Sequence, residues 1–377
     1  MAKLTERQDN NSLRMLPMSK GLIDFSSNDY LGLARNEAIF IKASKLLQKK
    51  GVIANGATGS RLLTGNNGLY RQLEEVLASF FGSESALVFN SGYDANIGFF
   101  SAVPQRTDVV FYDELSHASI RDGIGMGLAT SYKFKHNQLE VLSRQIDRVR
   151  ERKIGSDIYV VTESVFSMDG DTPDLKALVE LCASKGAYLV VDEAHAVGVF
   201  GKRGEGLLSE LGLQDMVFAR IVTFGKAMGC HGAAILGSDA LKSYLVNFAR
   251  SFIYTTGMPP HSLATILAAS EHLSASGREQ QELSANISFF KDQLKNYDLE
   301  ARFIPSNSAV HCCLVEGNEK VRNWSLQLQD RGFDVKPIMS PTVPKGQERL
   351  RFCLHSFNTE NEIKDVLLIL AELFDKR

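Results

Sequence analysis

From residue 86 onward, short runs of consecutive apolar residues alternate with longer stretches in which apolar positions recur every three or four residues. Runs 86–89, 109–112, 158–161, 188–191, 221–224 and 233–236 are apolar almost throughout, which predicts strands buried on both faces. Stretches 116–128, 139–152, 174–185 and 206–211 predict helices or partial helices between them. Thr172-Pro173 predicts one helix start, a capping hydroxyl followed by proline at the first helical position. The alternation predicts an α/β fold with a mostly parallel sheet covered by helices, ligands lying beyond the carboxyl ends of its strands.

The flanking regions differ. The first 25 or so residues read as an arm without strong periodicity, and 36–50 as a helix. GVIANGATGSRLLTGNNG (51–68) is rich in Gly, Asn, Ser and Thr and predicts a long loop, a kind that usually carries function. Leu69, Leu73, Val76, Leu77 and Phe80 then mark an amphipathic helix stopped by Gly82. Pro259-Pro260 opens a helix to about His272. Beyond it lie two or three helices, strands at 309–315 and 349–354, and a last helix whose Thr359-x-x-Glu362 start fits a capping box. The expected organisation is an arm (1–45), a large domain (46–272) and a small α+β domain (273–377).

Composition narrows the classes. The 377 residues are 44% hydrophobic and 23% charged, as in a globular protein, and are too many for one simple core. A formal net charge of −2 gives no reason to expect nucleic acid or an anionic membrane as partner. Five cysteines, with Cys312 and Cys313 adjacent, do not form a disulfide pattern and predict a reducing, cytoplasmic setting. No Cys/His cluster has metal-ligand spacing, the amino terminus has no apolar signal core, and no apolar run reaches the roughly 18 residues of a membrane span.

Chemistry concentrates at strand ends. Run 221–224 empties into Gly225-Lys226, and desolvation there favours a neutral, nucleophilic amine. Alone, such a lysine is more often merely solvated. A second strand closes on Asp192-Glu193-Ala194-His195, and an acid there either caps a turn or neutralises a protonated pyridine nitrogen. Together the two strand ends supply parts that hold pyridoxal phosphate. His195 by itself reads equally as a hydrogen-bonded loop histidine. His117 opens a helix after a strand, where an imidazole either lies flat on a pyridine ring or simply fills a first helical turn. Ser91-Gly92-Tyr93 begins a helix whose amides suit a phosphate, or is only a cap. Thr223, Thr255 and Thr256 offer hydroxyls to the same anion, and Ser167 also follows a strand. Arg349 and Arg351 share one side of a strand, and a guanidinium is the usual fork for a carboxylate, though surface pairing is its default fate.

SNDYLGL (27–33), GSRLLTGN (59–66), ELSHASI (114–120), ESVFSMDGD (163–171), DEAHAVGVFG (192–201) and TFGKAMG (223–229), in this order, closely resemble the α-oxoamine synthases. That family lies within the aspartate-aminotransferase-like, fold-type I pyridoxal phosphate enzymes, and the resemblance runs from about Asp24 to the carboxyl terminus. It implies that Lys226 carries pyridoxal 5'-phosphate covalently, Asp192 pairs with the pyridine nitrogen, His195 contacts the ring oxygen and His117 stacks on the ring. It places Ser91, Gly92, Tyr93, Ser167 and Thr223 against the cofactor. Thr255 and Thr256 would reach the phosphate of a neighbouring subunit's cofactor, implying a homodimer with shared active sites. Asn28 and Arg351 would hold the amino-acid carboxylate, with Thr342 and His117 also touching substrate. Arg14 is the nearest counterpart of a basic residue in the family's arm, and GCHG (229–232) departs from its usual small-residue pattern. SPTVPKGQERLRFCLHSFN (340–358) is most similar to the biotin-pathway branch, which joins L-alanine to a pimeloyl thioester of coenzyme A or an acyl carrier protein with loss of carbon dioxide. Branches using other substrates (glycine C-acetyltransferase, serine palmitoyltransferase, 5-aminolevulinate synthase) are alternatives. A non-catalytic partner subunit is another, though it would lack the lysine.

Overall fold

A computed structural model describes residues 2–9, 13, 16, 21–152 and 155–375; Arg14 lies outside them. The chain forms two compact units. One comprises Gly32–Phe166 and Thr172–Gly277, the other Met1–Leu31, Ser167–Asp171 and Arg278–Arg377. These limits differ from the expected 45/46 and 272/273. The latter falls inside a helix, Pro260–Ala275, and the short stretch after residue 166 joins the carboxyl-terminal unit.

The larger unit is built on seven strands: β1 (Ser85–Phe89), β2 (Val109–Asp113), β3 (Thr130–Phe134), β4 (Ile158–Glu163), β5 (Tyr188–Asp192), β6 (Ala219–Thr223) and β7 (Ala233–Gly237). Their order is β1-β7-β6-β5-β4-β2-β3, with β7 alone antiparallel to its neighbours. Six carboxyl ends therefore share one edge. Successive residues serve opposite faces, as alternation requires. Val110, Val161, Val190 and Ile221 join Phe99, Phe100 and Ile120 on one side, while Val109, Val160, Leu189 and Val191 join Leu142, Ile146 and Leu178 on the other. Both sides are buried, which is why these runs read as unbroken apolar sequence. Strand β3 was not expected. It lies at the sheet edge with its first four residues at least partly exposed, so TSYKF lacks the apolar signature.

Helices α1 (Glu37–Lys49), α2 (Gly68–Phe81), α3 (Gly92–Ala102) and α4 (Ala118–Met126) belong to this unit. Asn36 and Asn67 cap the first two, and Gly82 ends α2 at φ +64°. The helix after β4 corrects one expectation. It runs Leu175–Lys185, and Asp174, not Thr172, is the cap, its carboxylate accepting the Ala177 amide at 3.0 Å. Pro173 thus precedes the helix. Two further helices, Asp239–Phe248 and Arg250–Ile253, were not anticipated.

Behind the sheet edge, Glu193 and Arg220 form a buried ion pair at 2.5 Å, and Arg220 also donates to the Phe81 and Glu205 carbonyls. Removing one partner strands the other charge. Arg220→Ala is therefore expected to cost about 3–5 kcal/mol, read as a lowered unfolding midpoint in urea. A Glu193→Met/Arg220→Met double variant should recover part of that loss.

The second unit has a three-stranded antiparallel sheet, β8 (Val310–Leu314), β9 (Lys336–Ile338) and β10 (Arg349–Cys353), in the order β9-β10-β8. A two-residue parallel pair joins Ile23–Asp24 to Phe333–Asp334. Three helices, Arg278–Asn296, Asn318–Asp330 and Glu360–Asp375, accompany it. The last begins with the expected reciprocal box: Thr359 N–H donates to Glu362 at 2.7 Å, and Glu362 N–H donates to the Thr359 hydroxyl at 3.2 Å. The arm contains a short helix, Ala2–Asp9, which rests on helix-forming residues rather than an apolar stripe. No helix among the described residues is long and apolar enough to cross a membrane.

Candidate active site

In the larger unit, the carboxyl ends of the parallel strands bring together most of the residues singled out from sequence. Asp192 ends β5 and is 6% exposed. The Ala194 amide donates to its Oδ1 at 2.9 Å and the Asn96 side-chain amide to its Oδ2 at 2.9 Å. The carboxylate is thereby held by two neutral N–H donors. His195, three residues on, is buried.

Lys226 follows β6 by three residues and is half-buried. Gly229 makes its loop possible. It sits at φ +62°, and a Cβ there would overlap the backbone of Leu33 and Ala34, so only glycine permits the approach. Gly92 stands 3.7 Å, measured from its would-be Cβ, from the Thr223 side chain, which puts the start of α3 beside the lysine-bearing strand. Ser91 caps α3 through the Asp94 amide at 3.0 Å. Asn90 donates to the Thr255 hydroxyl at 3.0 Å and the Thr256 carbonyl at 2.8 Å, so both threonines lie near this turn within the same chain. Tyr93 is 47% exposed and donates to Asp122 at 2.8 Å.

His117 caps α4, and its own amide donates to Glu163 Oε1 at 2.6 Å. Glu163 is buried and lies in register beside Asp192 on the adjoining strand. Burial first, then the Asp192 carboxylate, push its pKa up to about 8, with Lys226 pulling it back. Burial likewise lowers the His117 pKa, with Lys226 adding to the shift and Asp192 opposing it. Glu163, Asn96 and Ser119 were not singled out individually. Their roles depend on partners in other elements, and only the motifs containing Glu163 and Ser119 were visible.

The second unit gathers the other candidates. Arg351 is 8% exposed; it donates to Asn28 Oδ1 at 3.1 Å, the Ser167 carbonyl at 2.8 Å and Cys353 Sγ at 3.0 Å. Ser167 thus meets Arg351 through its backbone. Arg349 is occupied by an ion pair with Asp169 and by the Met168 carbonyl. Thr342 sits in an exposed turn, its amide on the Met339 carbonyl, and no described hydrogen bond joins it to Arg351.

Comparison with known proteins identifies the family. Residues 20–368 match the family described as aminotransferase class I and II. The chain is 39% identical over 389 residues to an 8-amino-7-oxononanoate synthase of Emericella nidulans, covering 98% of this chain and 93% of that one. It is 40% identical over 349 residues to a putative 8-amino-7-oxononanoate synthase of Bacillus cereus, covering 92% and 86%. A serine palmitoyltransferase from S. paucimobilis with bound PLP superposes with a TM-score of 0.89 at 27% identity, covering 99% and 96%. An 8-amino-7-oxononanoate synthase from Francisella tularensis superposes with a TM-score of 0.78 at 29% identity, covering 95% and 99%. By family match over residues 20–368, and by relatives 39–40% identical over most of its length, the chain belongs to the aminotransferase class I and II family.

Proposed function

We propose that this protein is a pyridoxal phosphate-dependent acyltransferase that condenses L-alanine with a pimeloyl thioester, releasing carbon dioxide and forming 8-amino-7-oxononanoate. The observation that carries this reading is the placement of Asp192 at the end of β5 and of Lys226 just beyond the end of the adjacent β6, on one sheet edge. The donor set fits the cofactor part by part. Ser91, Thr223, Thr255 and the first amides of α3 suit a phosphate, Asp192 suits a ring nitrogen cation, and the Lys226 amine suits an aldehyde carbon. His117 and His195 would complete the ring contacts. Bound there, pyridoxal phosphate supplies the electron sink for negative charge at the substrate Cα.

The chain's own groups do the rest. Lys226 takes the Cα proton as general base. Asp192 keeps the ring nitrogen protonated. Arg351 and Asn28, already joined to each other, are the proposed carboxylate holders, which would fix the orientation of the Cα–H bond. A cytoplasmic homodimer is part of this reading. All five cysteines are thiols, and Phe40, Ile53, Leu63 and Tyr254 are left largely exposed on the larger unit, at 61%, 99%, 81% and 73%.

The test is a substrate matrix of L-alanine, glycine and L-serine against pimeloyl, acetyl, palmitoyl and succinyl thioesters, the pimeloyl group offered on coenzyme A and on an acyl carrier protein. L-Alanine with a pimeloyl thioester should give the highest kcat/KM. A preference for serine with palmitoyl, or glycine with acetyl or succinyl, would replace the proposed substrates and keep the chemistry. A protein that stays colourless with pyridoxal phosphate would remove both.

A further inference from the structure

We propose that the first turn of α4 holds His117 as the neutral imidazole with its single ring proton on Nε2, and that Ser119 and Asn96 are positioning residues tying this ring to the Asp192 carboxylate. The catalytic consequence rests on the function proposed above; the protonation itself does not.

The starting point is the helix cap. The Ser119 backbone N–H donates to His117 Nδ1 at 3.2 Å. An amide nitrogen only donates, so Nδ1 must present its lone pair. The Ser119 hydroxyl lies 2.7 Å from the same atom. Asn96, 2% exposed, holds the Ser119 hydroxyl oxygen in place. Its amide nitrogen gives one hydrogen to Asp192 Oδ2 at 2.9 Å and one to Ser119 Oγ at 3.0 Å. The reverse amide orientation would set a carbonyl oxygen against a carboxylate. Because Nδ1 presents its lone pair to the Ser119 N–H, it carries no hydrogen to give, and the Ser119 hydroxyl is the donor across this second contact. Donation therefore runs one way, from Asn96 through Ser119 to His117, and the ring's proton is left on Nε2.

Charging the ring would put a second N–H at Nδ1, facing the Ser119 N–H at the positive end of a helix. The charged and titratable groups around the ring are Asp192, Lys226, Arg121 and Asp122, with Glu163 on the His117 amide. Burial and the two cations oppose protonation more than the acids favour it, so the net shift is downward. His117 is thus a hydrogen-bond donor through Nε2 and not the base that takes the Cα proton, which leaves that task to Lys226.

The test is nitrogen NMR of the full chain labelled with 15N-histidine, with and without pyridoxal phosphate, the His117 signals being identified by their loss in His117→Gln. A pyridine-type Nδ1 and a pyrrole-type Nε2 at neutral pH are expected, and this reading needs no destabilising variant. In Ser119→Ala, the Nδ1–H fraction and the His117 pKa should rise, and kcat for acyl transfer should fall on the order of tenfold. Ser119→Thr should reverse all three changes. A proton on Nδ1 in the unaltered protein would overturn the inference, as would Ser119→Ala spectra and pH–rate profiles identical to those of the unaltered protein. The nitrogen shifts are read without turnover. Failure to bind pyridoxal phosphate would therefore sink the proposed function while leaving the tautomer assignment standing.

Discussion

Lys226→Ala should abolish acyl transfer, with a loss on the order of 10⁴-fold or more, while the fold is retained. On the proposed function two roles would vanish together: the covalent hold on the cofactor and the amine that takes the Cα proton. The substitution is mild for the scaffold. Lys226 is half-buried on a loop after β6, and the loop's shape comes from backbone contacts, among them Gly229 N–H to the Lys226 carbonyl at 2.8 Å and Cys230 N–H to the Phe224 carbonyl at 2.7 Å. Steady-state thiol release, the visible absorbance of the protein with pyridoxal phosphate, and a thermal melt would be measured side by side. An unchanged melt with lost absorbance and lost turnover is the expected set. Turnover within tenfold of the unaltered protein would refute the assignment of this lysine. Borohydride reduction followed by peptide mapping gives the positive counterpart, a phosphopyridoxyl group on the peptide containing residue 226.

Asp192→Asn should keep the cofactor bound yet slow exchange of the alanine α-proton by roughly 10³-fold. The amide has nearly the shape of the carboxylate, so the Ala194 amide still finds an acceptor. It carries no negative charge, however, and cannot keep a ring nitrogen protonated. Its own NH2 also faces the Asn96 NH2, which loses an acceptor in a buried position. Proton exchange followed by NMR in deuterated solvent, without any thioester, isolates this step from acyl transfer. Exchange at the rate of the unaltered protein would show that Asp192 does not face the ring nitrogen.

The central strands were legible because the sheet is buried on both faces, leaving the apolar runs at Ile158 and Leu189 with no solvent side to encode. Where one side meets water, that signal disappears, and Thr130–Phe134 went unseen for this reason. Capping chemistry was legible where the motif is local. Thr359 and Glu362 meet as expected, while Asp174 displaces Thr172 because a carboxylate two residues on reaches the Ala177 amide. The site divides along the same line. Lys226, Asp192 and His117 were visible because each follows a strand end within a recognisable motif. Asn96 and Glu163 act across elements, the first on Asp192 and the second on the His117 amide, and no spacing along a single chain encodes such a meeting. Sequence also placed Arg349 and Arg351 together, yet only the contacts separate their jobs, an ion pair with Asp169 for one and a link to Asn28 for the other.

The division of the chain into units has a consequence for its birth on the ribosome. The carboxyl-terminal unit takes Met1–Leu31 and Ser167–Asp171 as well as Arg278–Arg377, so its pieces leave the ribosome at well-separated times. Ile23–Asp24 has no strand to pair with until Phe333–Asp334 appears, and the Asp169 carboxylate waits for Arg349. The seven-stranded sheet, whose last strand ends at Gly237, can close well before that. A nascent polypeptide halted shortly after residue 277 would carry Ile23–Asp24 unmatched while its seven-stranded sheet is already complete.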